Sequence, residues 1–85
     1  MTDKNVEQAV AQAVQRAYDQ WAAEHPSLAR VIDRVSVTER TVESLRDSDG
    51  YRQAVAAYHR SRNELELIHR LSELAAPLVT NILSG

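Results

Sequence analysis

Cysteine and phenylalanine are absent from this 85-residue chain, and glycine and proline occur only twice each. Without cysteine there are no disulfides and no thiolate chemistry, and the redox compartment stays open. Without phenylalanine, the aromatics are Trp21, Tyr18, Tyr51 and Tyr58, so any core must be built from Ala, Val, Leu and Ile and will be thin. One glycine, Gly50, lies inside the chain, the other being Gly85. Nucleotide-binding loops need several glycines so that backbone can approach phosphate, so that chemistry is excluded. No serine stands in a G-x-S-x-G elbow, and a small bundle has little room for a triad around His25, His59 or His69.

An excess of one charge is missing too. Ten basic and twelve acidic residues are interspersed, for a net charge of −2. Nucleic-acid binding draws its affinity from a concentrated basic face, so none is expected. No apolar run approaches the roughly 20 residues that cross a bilayer, which argues against a membrane role. The start, Met1-Thr2-Asp3-Lys4-Asn5, lacks the apolar core of a signal peptide, and a cytoplasmic protein is expected.

What the sequence does have is apolar material, 44% of residues against 26% charged, recurring at threes and fours. That is helical periodicity, and no alternating strand pattern accompanies it. The expected fold is all-α: a single domain over residues 1–85, a small antiparallel bundle of three helices, the last kinked or split at Pro77. Each helix would have about 20 to 25 residues and run about 30 to 37 Å. The first carries Val6, Val10, Ala13, Ala17 and Trp21, widened by Val14 and Tyr18. Thr2 or Asp3 would cap it, and its alanines would let a neighbour approach closely. Pro26 would stop it and open the second helix.

In the second helix Leu28, Val31, Val35, Thr38, Val42 and Leu45 alternate spacings of three and four. That is a coiled-coil-like seam between charged flanks. Ser48-Asp49-Gly50 then reads as a turn, with one continuous helix through Gly50 as the alternative. The third helix carries Tyr51, Ala54, Val55, Tyr58, Leu65, Ile68, Leu71, Leu74 and Ala75. Ser61 and Arg62 fall on its seam, so packing is weakest there. Leu45-Arg46-Asp47-Ser48-Asp49-Gly50-Tyr51, followed by Ala57, resembles the L-x-x-S-x-x-Y stretch of the small helical YlbF/YmcA-type regulators. The likeness is confined to this mid-chain stretch, and no function is carried over from it.

Three constellations could carry chemistry. Glu66 and His69 form a Glu-x-x-His tetrad, the spacing of di-iron carboxylate bundles, to be completed by Glu24, Glu39 or Glu43. The competing and preferred reading is a surface ladder of Arg62, Glu66 and Arg70 at four-residue steps. Arg52, Arg60, Arg62 and Arg70 could form a small positive patch, against which a solvated helix face is preferred. Trp21 could anchor a partner, but its stripe position reads as core. The uncharged C-terminal stretch stands apart: Leu74, Leu78, Val79, Ile82 and Leu83 are apolar on more than one side. Here contact with another chain is preferred over a bundle cap. The expected function is a protein-protein interaction or oligomerisation module, without catalytic activity, cofactor, metal or small-molecule substrate. Its partner would be a second copy or another protein. A ferritin-like oxidoreductase using Glu66 and His69 across a dimer, and a small nucleic-acid-associated regulator, are the alternatives.

Overall fold

The computed structural model describes residues 4–84, so the predicted cap at Thr2 or Asp3 lies outside the described residues. The described residues are helical apart from short connections, with no strand, in an envelope of 41 × 20 × 18 Å. They form five helices instead of three: α1 (Lys4–Glu24), α2 (Pro26–Ala29), α3 (Arg34–Arg46), α4 (Asp49–Ser61) and α5 (Glu64–Ser84).

α1 follows its sequence pattern. Val6, Val10, Ala13, Val14, Ala17, Tyr18 and Trp21 are all buried. Ala13 and Ala17 carry only a methyl group, so α5 lies close along this face, and α1·α5 is the most extensive helix pair. The two run in the same direction: Arg16 and Gln20 share a groove with His69 and Ser72, while Trp21 and Glu24 share one with Ala76 and Thr80. α1 ends before Pro26, which occupies the first turn of α2 as expected.

The second predicted helix is broken. α2 has four residues, and the backbone leaves the helical path before Asp33, which adopts an extended conformation. No glycine or proline causes this. The Asp33 carboxylate accepts from the Val35 amide at 3.1 Å and from the Ser36 hydroxyl at 2.9 Å, which starts α3 afresh. Aspartate prefers such capping to a helix interior, because its short side chain competes for backbone amides. The restart changes the buried row to Val37, Thr41 and Leu45, spaced by fours. Of the predicted seam only Leu45 is buried, so the coiled-coil reading is corrected. Buried Thr41 is satisfied within its own helix, its hydroxyl donating to the Val37 carbonyl at 2.8 Å. α3 lies antiparallel to α1: Arg34 pairs with Asp19 at 3.0 Å and stacks on Tyr18, and Arg46 approaches Glu7 at 4.0 Å.

The turn is Asp47-Ser48, starting one residue before the predicted Ser48-Asp49-Gly50 and ending two before it. Ser48 caps α4, accepting from the Tyr51 amide at 3.2 Å and donating to the Leu45 carbonyl at 2.7 Å. Gly50 is therefore helical, in the first turn of α4. A Cβ built there would stand 2.7 Å from Leu74 Cδ2, so glycine admits α5 at this point.

The third predicted helix is two. Arg62 takes the left-handed conformation, with φ 56°, and ends α4. Asn63 then accepts from the Glu66 amide at 3.1 Å and starts α5. The break comes where the seam carried Ser61 and Arg62 and no apolar side chain could hold a continuing helix. α4 folds back antiparallel along α5, with Gly50 beside Leu74 and Tyr58 beside Leu67. The restart buries Leu67 with Ile68, Leu71, Ala75 and Val79, and it turns Leu65 outward. Pro77 sits exposed inside α5, which continues past it without a split. α5 is the hub, packing on α1, α3 and α4.

Candidate interaction surface

The charged side chains that could carry chemistry lie on solvent faces, and Glu66 and His69 are paired within their own helix. Glu66 pairs with Arg70 at 2.9 Å, and His69 Nε2 lies 3.2 Å from Glu73. These contacts divide the tetrad between two neighbours on α5. Half of the predicted ladder exists, the Glu66–Arg70 step. Arg62 is drawn into ending α4. Glu24, Glu39 and Glu43 are exposed on α1 and α3. Among the described residues no group of three or more metal-ligating side chains converges. Of the basic residues, Arg52 pairs with Asp49 in its own first turn at 3.6 Å.

Trp21 is buried. Its ring stacks on His25 at 4.8 Å, and the His25 Nδ1 lies 3.1 Å from the Trp21 carbonyl. The His25 amide also donates to that carbonyl at 3.0 Å, so His25 closes the C-terminal end of α1 through its backbone. Open grooves run between the helices. One of about 310 Å³ lies between α4 and α5 along Gly50, Ala54 and Leu74, and one of about 370 Å³ lies between Arg16 on α1 and His69 on α5. The second brings Arg16, Gln20 and His69 together, but Glu73 stands among them, and its charge opposes an anion there.

The C-terminal candidates divide. Val79 is fully buried in the core and presents nothing to a partner. Leu74, Leu78 and Leu83 are half-buried and pack against that core, and Ile82 is half-buried beside them. Much of this stretch is thus absorbed by the bundle.

No family model, curated protein or solved structure matches this chain. The surface must then be judged by its own chemistry. Among the described residues, four large apolar side chains are exposed: Leu28 at 53%, Val31 at 81%, Val35 at 65% and Leu65 at 79%. Three fall within eight residues, at the corner where α2 gives way to α3. Exposed Arg30, Asp33, Arg34, Glu39 and Arg40 neighbour them in sequence, in mixed sign. These residues were visible in the sequence as apolar stripe members. Their exposure was not, because the stripe pattern does not reveal which members lose their neighbour when a helix breaks.

Among the described residues no helix is long and apolar enough to cross a membrane.

Proposed function

We propose that this protein is a helical interaction module, cytoplasmic and non-catalytic, that works by packing against a second copy of itself. The observation that carries the reading is the exposed cluster of Leu28, Val31 and Val35. Exposed valine and leucine side chains grouped on one corner lower the free energy of association when covered, at about 1.5 to 3 kcal/mol per side chain before ordering costs. The thinness of the core supports the same reading, since a chain this short buries a modest share of its surface alone. The open sides of Leu74, Leu78, Ile82 and Leu83 offer a second stretch of apolar area. The ion pairs of Glu66 and His69 favour a surface role for those residues over a redox centre. Sedimentation of the purified chain over the micromolar range tests the reading. A mass near twice the 9.5 kDa of one chain is expected. A monomer at every accessible concentration would overturn it.

A further inference from the structure

Resting on that reading, we infer that residues 26–46 are a two-state element: broken at residues 30–33 in the single chain, and one continuous helix when a second copy covers its apolar stripe. Four observations carry this.

The first is that nothing covalent enforces the break. Beyond Pro26 the segment holds no glycine or proline, and Arg30, at the end of α2, still has helical dihedrals, φ −69° and ψ −27°. The departure is held by the exposed Asp33 cap and by half-buried Ile32, which packs on the core.

The second is register. Arg34 pairs with Asp19 and Arg46 approaches Glu7, so partners on α1 and α3 lie at equal distances in sequence on either side of residues 26 and 27. An uninterrupted helical hairpin turning at His25 and Pro26 is centred one residue earlier, so at 1.5 Å per residue its partners stand about 3 Å from the observed ones. Completing the helix therefore requires α3 to slide along α1 by only about 3 Å, less than one helical turn.

The third is what completion would do to the surface. On a continuous helix Leu28, Val31, Val35, Thr38 and Val42 share one stripe, and Ile32 stands four residues from Leu28 and three from Val35. Ile32 leaves the core and joins the stripe, and the half-open Thr38 and Val42 extend it. Three exposed side chains alone fall short of the roughly 800 Å² per partner of a stable interface. The completed stripe, about 21 Å long at 1.5 Å per residue, comes nearer to it.

The fourth is charge. The flanks carry Arg30, Arg34 and Arg40 against Asp33, Glu39 and Glu43. That balance lets an identical surface approach without net repulsion, whereas a flank of one sign would have called for a partner of the other.

The test uses the full chain and a lock. Arg34→Pro suits the broken form: position 34 opens α3, where proline is favoured, and Asp33 before it is already extended. Within a continuous helix the same proline clashes with the turn before it. Sedimentation of wild type should give a dimer that Arg34→Pro returns to 9.5 kDa, while Arg34→Ala, which loses the same ion pair, stays dimeric. Val31→Asp with Val35→Asp should also give monomer, with the helical circular dichroism of a folded chain. Amide exchange at Val31, Ile32 and Asp33 should slow as wild-type concentration rises. A dimer indifferent to Arg34→Pro, or to the aspartates, overturns this inference and leaves self-association standing. A monomeric wild type overturns both.

Discussion

Asp33 shows how one exposed side chain can redirect a helix. The Ser36 hydroxyl, then the Ser36 and Val35 amides, hydrogen-bond its carboxylate and hold its pKa below the ordinary 3.8. A lowered folded-state pKa means that the cap's contribution is fully present above the ordinary value and is lost as pH falls through the lowered one. Acid titration of thermal stability should show this loss in wild type. Asp33→Asn, which still caps but does not titrate, should lack that component; identical acid profiles would discount the carboxylate. Thr41 poses the opposite case, a buried hydroxyl bonded only to its own helix at the Val37 carbonyl. That carbonyl keeps its backbone amide partner in the helix. Thr41→Val should therefore hold stability within about 1 kcal/mol of wild type in urea melts, because donor and shape are exchanged together. At Gly50 a β-branched side chain meets the methyls of Leu74, and where Leu74 keeps its rotamer Gly50→Val should cost about 1 to 3 kcal/mol. An unchanged midpoint would show that Leu74 gives way freely.

Elements in this chain are delimited by caps more than by breakers. Asp33 and Asn63 each turn a pattern that reads as a longer helix into a new start, Ser48 caps the helix after the expected turn, and α5 runs on through Pro77. The consequence is clearest on α5, where Leu65 and Leu71 belong to the same predicted stripe yet differ completely in burial. Leu71→Ala leaves a cavity under three helices and should cost about 2 to 5 kcal/mol, enough to unfold much of so small a domain. Leu65→Ala should fall within about 0.5 kcal/mol of wild type, as exposed substitutions do. Paired urea denaturation curves decide the matter, and equal shifts would contradict the placement of α5.

At the scale of the molecule, α5 is the hub, and α1 lies along it through alanine and valine. The short connections between α3, α4 and α5 leave little chain to cover the corner at Val31, which is why that corner dominates the functional argument. A far-ultraviolet spectrum should be strongly helical, without a strand component; appreciable sheet signal would contradict the fold. Much of this level was legible in the sequence: the all-helical class, most of the buried face of α1 and the stop before Pro26. The candidate surface was legible only as composition. Val79 looked as available as Leu78, and Val31 looked as buried as Leu45.

The sequence by itself determined the class of structure, because helical periodicity and the near absence of glycine and proline act locally, within one turn. It also determined which chemistries lack their residues, since a missing cysteine or glycine-rich loop needs no fold to be counted. Tertiary structure decided which of several equivalent apolar rows faces inward. Each cap restarts the helix at a new rotation, and three or four residues of backbone departure are enough to turn a stripe away from its neighbours. Whether Leu28, Val31 and Val35 meet protein or water therefore depended on where α3 begins relative to α1 and α5, which the spacing of apolar residues does not encode.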